Sequence, residues 1–202
     1  MDAEVEASEA KLHEAFAGFI EERAGEYGAV LTCRSGTFLP GYYRPTVRWP
    51  VGVYSGDTLA AVVGMSSEPW PSLAMNFGPV VEEAIASATD LRHAYQEGLL
   101  GTVMPLACYY TCIEDHLESR LMGPVSGRDA AVNPAFADLT YRDAYRVFCQ
   151  RLMATGHYDV VCYATRDRTD LGGPFRYPDP ELTFAALVAR ISSHVSQLPK
   201  WN

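Results

Sequence analysis

Few side chains in this sequence combine the right type with a useful spacing for chemistry. The densest group is Tyr42, Tyr43, Arg44 and Arg48. A guanidinium grips phosphate or carboxylate through its planar fork, and a tyrosine can stack on a base or ring. Solvated arginines and loop-packed tyrosines are the plain alternative. Glu82 and Glu83 are adjacent acids; one could contact a metal or ligand, or both could complement the dipole of a first helical turn. Asp115 and His116 close an apolar run, but neighbours on a strand face opposite ways, so they make no acid–base dyad. The five cysteines, Cys33, Cys108, Cys112, Cys149 and Cys162, contain no CxxC pair, which disfavours structural zinc. Nothing near Cys108 or Cys112 would stabilise a thiolate, and both read as core thiols. No GxSxG, GxGxxG or GxxxxGK[ST] loop is present, so neither a nucleophile turn nor a phosphate cradle is expected.

The elements that must carry these residues follow from periodicity. Leu12, Phe16, Phe19 and Ile20 recur at helical spacing between charges from Glu4 to Gly25, predicting an amphipathic first helix. Residues 36–50, rich in Pro, Gly and Tyr, are expected to form a loop. Val51–Ser55, a turn at Gly56-Asp57 and Thr58–Ser66 read as a hairpin. Another loop, at residues 66–72, leads to a helix over about 79–96 that Gly98 ends. The run from Met104 to Asp115 suits a strand buried on both faces. A loop with Pro124, Gly127 and Pro134 follows. Thr140 can cap a helix over 141–154, then comes a strand within 157–165, a loop at Gly172-Gly173-Pro174 and a last helix over about 180–197. This order predicts an α/β domain with a central mixed sheet flanked by helices.

The 202 residues suggest one domain, large enough to bury most of its apolar surface. We divide it into an N-terminal helix (1–27), a hairpin, helix and core strand (36–115) and a helix–strand–helix unit (138–202). Sixteen basic residues face 25 acids, a net charge of −9. Phosphate contacts dominate nucleic-acid affinity, so autonomous DNA binding is disfavoured and a protein partner or homodimer is expected. The acidic N-terminus has no apolar signal core and no stretch approaches membrane-spanning length; a cytoplasmic location with reduced thiols is expected.

The stretches PGYYRPTVRWP (residues 40–50), TLAAVVGMSS (58–67) and MNFGPVVEEAIASATDLRHAYQEG (75–98) add more. Together with YRDAYRVFCQRLMATGHYDVVCYATRD (141–167), they resemble, in order and spacing, segments of the XhoI-like type II restriction endonucleases. The resemblance implies a restriction-endonuclease-like fold of the PD-(D/E)XK type. In that fold an Asp and a following (Asp/Glu)-x-Lys tripeptide, on adjacent strands, hold Mg²⁺ and position the attacking water. This chain departs from the pattern at all three places: Pro50 stands where the Asp is expected, Val63 for the acid and Met65 for the lysine. Lys11 and Lys200 are the only lysines, so a shifted alignment cannot supply one to the core. No magnesium or other cofactor is expected.

The first reading is therefore a nuclease-like pseudoenzyme without confident catalytic residues, a binding or partner subunit in a bacterial-type defence or biosynthetic system. A second is a repurposed enzyme or sensor whose apolar cleft takes a small or nucleotide-like ligand, with Tyr42, Tyr43, Arg44, Arg48, Glu82 and Glu83 as candidate contacts. A third is a metal-dependent endonuclease with a site relocated to Glu68 or Glu82.

Overall fold

The computed structural model describes residues 3–68, 72–116, 119, 133–167, 169–170 and 173–199. Its elements are α1 (Ala3–Glu26), β1 (Thr32–Pro40), β2 (Thr46–Ser55), β3 (Thr58–Glu68), α2 (Leu73–Gln96), β4 (Leu106–Asp115), α3 (Tyr141–Ala154), β5 (Val160–Asp167) and α4 (Phe184–Gln197). The five strands form one sheet in sequence order. β1–β2–β3 is an antiparallel meander, while β4 and β5 run parallel to β3. This is the mixed, helix-flanked sheet that the sequence predicts.

Strand alternation divides the core in two. Leu106, Cys108, Tyr110 and Cys112 of β4 pack towards Phe16 and Ile20 of α1 and Leu187 and Ile191 of α4. Ala107, Tyr109 and Ile113 point the other way, to Val80, Ala84 and Ala88 of α2 and Tyr145 and Phe148 of α3. Small residues at four-residue spacing let α2 lie close to the sheet. Thr140 caps α3 by accepting the Asp143 N–H at 3.1 Å, and Thr183 caps α4 by accepting that of Ala186 at 3.1 Å, which starts the last helix at Phe184 rather than near 180.

Two expectations are corrected. Residues 36–50 are a loop only at 41–45: the rest hold the second half of β1 and the first half of β2. Thr37, Leu39, Val47 and Trp49 are buried, alternating with exposed Phe38, Thr46 and Arg48, so period-two burial prevails over turn-forming composition. The prolines are placed where a lost N–H costs little: Pro40 ends an edge strand, and Pro50 lies just outside the β2–β3 ladder, which runs from Val51–Val63 to Ser55–Thr58. The long helix also starts earlier than 79. Pro79 lies inside α2, and fully buried Leu73 anchors the first turn in the core. Glu82 and Glu83 consequently sit in mid-helix and cannot serve a helix N-terminus. The expected loops around Pro124, Gly127 and Gly172 fall largely outside the described residues.

Candidate functional site

The β1–β2 hairpin changes face at one point. Val47 and Trp49 join the core beneath α2, whereas Val51 and Val53, in the same parity, join the core beneath α1. The switch falls at Pro50, bracketed by the pairs Thr37–Trp49 and Ser35–Val51. Opposite it Gly36 takes φ +64°, a left-handed conformation that a side chain would disfavour. A cleft opens beside this crossing, lined by Arg48, Trp49 and Pro50 from β2, Gly64, Met65 and Ser66 from β3, and Val80, Glu83, Ala84 and Ser87 from α2.

The inner wall of the cleft is aromatic. A Cβ on Gly64 would stand 3.1 Å from the Tyr109 ring, 3.4 Å from the Tyr158 hydroxyl and 3.5 Å from Trp49, so these rings close tightly over the strand. Their hydroxyls have partners: Tyr109 Oη donates to Ser66 Oγ at 3.0 Å, Ser66 Oγ donates to Thr111 Oγ1 at 2.8 Å, and Tyr158 Oη donates to the Ala84 carbonyl at 2.9 Å. Burial holds the Tyr158 phenol well above its ordinary pKa; it is a core hydrogen-bond donor, not an acid for catalysis. The space left is about 50 Å³, well below the roughly 300–1,000 Å³ of a small-molecule site.

Among the positions singled out in the sequence, Pro50, Met65, Arg48 and Glu83 meet around this cleft. Val63 does not: it is fully buried in the core beneath α1 and α4. Glu82 is exposed on α2. The side chain of Glu68, the last residue of β3, lies outside the described residues. A proline, a valine and a methionine supply no hard side-chain oxygen, and one exposed carboxylate at Glu83 does not build the octahedral oxygen shell that Mg²⁺ demands. Among the described residues no group of three or more His, Cys, Asp or Glu could hold a metal ion. The residues at these positions do not fit the ion.

Tyr42, Tyr43 and Arg44 gather instead at the hairpin tip, around a residue that sequence reasoning did not single out. Asp90 of α2 is 1% exposed. One carboxylate oxygen accepts the N–H groups of Tyr42 at 2.6 Å and Tyr43 at 2.9 Å, and the other accepts Arg44 Nε at 3.0 Å. Burial alone would raise the carboxyl pKa, but these three donors together hold it below the ordinary value. Gly41 permits the approach, since a Cβ there would stand 2.4 Å from the Arg44 carbonyl oxygen and 3.0 Å from Asp90 Oδ2. Asp90 belongs to the stretch 75–98 and its partners to 40–50, so the hub joins two of the segments that carry the family resemblance. That shared membership was the available signal. Tyr42 lies 4.7 Å from Tyr43 and 5.1 Å from His93, ring centre to ring centre.

Four of the thiols are buried and Cys33 is half-buried, none of them activated. Burial and the nearby Glu21 carboxylate push Cys33 up to about 12, and burial raises Cys108, Cys149 and Cys162 further.

Comparison with known proteins agrees with this frame. The family model described as "Restriction endonuclease XhoI" matches residues 15–176. The chain is 39% identical over 119 residues to the type II restriction enzyme XhoI of Xanthomonas vasicola, covering 58% of this chain and 48% of that protein. It is 28% identical over 165 residues to the type II restriction enzyme BstVI of Geobacillus stearothermophilus, covering 78% of this chain and 74% of that protein. It is also 40% identical over 82 residues to the type II restriction enzyme AbrI of Azospirillum brasilense, covering 40% and 37%. The matched region spans about half the length of the first of these relatives. No solved structure matches the chain.

Proposed function

The chain belongs to the XhoI restriction endonuclease family, and from that premise we propose that it is a member without cleavage chemistry, acting by binding as a partner subunit. The observation that carries this reading is the set of side chains at positions 50, 63 and 65. Hydrolysis of a phosphodiester at neutral pH needs a group that activates water and offsets charge on the phosphate. Pro50, Val63 and Met65 supply neither oxygen ligands nor positive charge, and no lysine lies between Lys11 and Lys200 to substitute. Trp49, Tyr109 and Tyr158 crowd the space around Gly64 beside the cleft.

Incubation of the purified chain with plasmid DNA and Mg²⁺ or Mn²⁺ tests the proposal. No nicked or linear product is expected beyond that of a heat-inactivated control. Metal-dependent cleavage that tracks the protein through purification would overturn it.

A ligand-binding role for the cleft is the second reading, favoured by Arg48 and Glu83 at its edge. Its volume of about 50 Å³ sets it behind the first, because a nucleotide-sized ligand would have to displace the packed aromatic rings.

A further inference from the structure

We propose that the β1–β2 hairpin is a docking face for a carboxylate-bearing surface of a different protein; this rests on the reading of the chain as a binding subunit. Between Glu26 and Asp57 the sequence has no acid and no lysine but three arginines, Arg34, Arg44 and Arg48. That is +3 within a chain of −9, so the remainder carries −12. The hairpin also exposes its aromatic residues: Phe38 is 65% exposed, Tyr43 68% and Tyr42 46%. Phe38 pairs across the strands with Arg48, and the Arg34 guanidinium sits 4.2 Å from the centre of the Tyr54 ring. Arginine and aromatic residues enriched, with lysine and acids depleted, is the composition of a protein–protein interface core.

The tip is also held in place. Asp90 is a buried carboxylate committed to fixing a loop whose own side chains add little to the core. Burying a charge is costly unless it is well bonded, and what this one secures is a rigid, outward-facing aromatic surface. A surface already ordered before binding loses less entropy when a partner arrives. β1 lies at the edge of the sheet and carries no lysine to blunt it.

Charge selects the occupant. A symmetric second copy would press the same basic surface, Arg34 and Arg48 with Arg44 already paired to Asp90, against itself, and like charges at contact repel. A nucleic acid would meet the hairpin favourably but feel the −12 of the remainder along its phosphates. A protein presenting carboxylates beside apolar groups satisfies both the arginines and the aromatic rings.

The test uses the full chain with fluorescent probes: a peptide alternating Glu with Phe, one alternating Lys with Phe, single-stranded oligothymidylate and a DNA duplex. Saturable, salt-sensitive binding of the Glu-Phe peptide is expected, weakened about tenfold in the Arg34→Glu/Tyr43→Ala variant with its melting temperature retained. Phe38→Ser, at an exposed site, serves as a second variant should the first fail to fold. No binding of that peptide, binding that neither variant changes, tighter binding of the Lys-Phe peptide or of either nucleic acid, or a hairpin-dependent homodimer in sedimentation would each overturn the docking proposal. The plasmid assay separates the two readings: absent peptide binding without cleavage removes only the docking face, whereas metal-dependent cleavage removes the binding-subunit reading itself.

Discussion

Asp90 shows how much one residue can organise. Its carboxylate accepts two backbone N–H groups and a guanidinium N–H, and hydrogen bonds to charged groups contribute about 1.5–3 kcal/mol each before non-additivity. Asp90→Ala is expected to cost about 2–4 kcal/mol in urea unfolding at neutral pH. The pH dependence follows from the direction of the shift. The folded-state pKa lies below the ordinary value of 3.8, so the carboxylate's contribution is complete above that pH and fades as pH falls through the folded value. The gap between wild type and Asp90→Ala should therefore narrow on acidification, and a constant gap would contradict the hub. Cys33 gives a second residue-scale expectation. With its pKa pushed up to about 12, almost no thiolate exists at pH 8, and the other four thiols are buried. Alkylation of the native chain should be slow at all five sites and fast once urea unfolds it.

The element that decides the site is the hairpin, and its geometry depends on close backbone approaches. A Cβ at Gly52 would stand 2.5 Å from Thr37 Oγ1 and 3.0 Å from its Cβ and Cγ2. Gly52→Ala should destabilise the chain by about 1–3 kcal/mol, and Thr37→Ala in the same chain should recover part of that loss. Strict additivity of the two substitutions would show that the contact is not the cause. The hairpin is also where reading by composition fails. Proline and glycine between residues 36 and 50 mimic a loop, because both are common in turns. Buried Trp49 and Val47 against Leu39 and Thr37 show the opposing signal, an alternation four residues long on each strand. Helix α3 was legible to its ends because its cap and its apolar spacing agree: Thr140 caps it, and Tyr141, Tyr145, Phe148 and Leu152 form one buried face.

At the scale of the molecule, the proposal that Pro50, Val63 and Met65 offer no side-chain metal ligand predicts that folding and metal binding are uncoupled. Neither EDTA nor added Mg²⁺ should move the melting temperature, whereas a site that bound the ion only when folded would raise it with ion concentration. No helix among the described residues is long and apolar enough to cross a membrane. The segment from Tyr27 to Gly56 is basic within an acidic chain, the asymmetry on which the docking proposal draws.

The sequence by itself determined the fold class, most helices and strands, and the family, because apolar periodicity and ordered motif spacing are local patterns that survive changes at individual positions. The family resemblance also carries the proposal that Pro50, Val63 and Met65 stand at the places the family reserves for its acids and lysine. Only the tertiary structure decided where those residues lie: Pro50 and Met65 border a cleft, while Val63 is buried in the core beneath α1 and α4 against which Met65 also packs. It also brought Asp90 beneath a loop nearly fifty positions away. The reason is geometric. A strand that changes face at a proline opposite a left-handed glycine breaks the two-residue period, and a contact between a loop and a distant helix leaves no period to read.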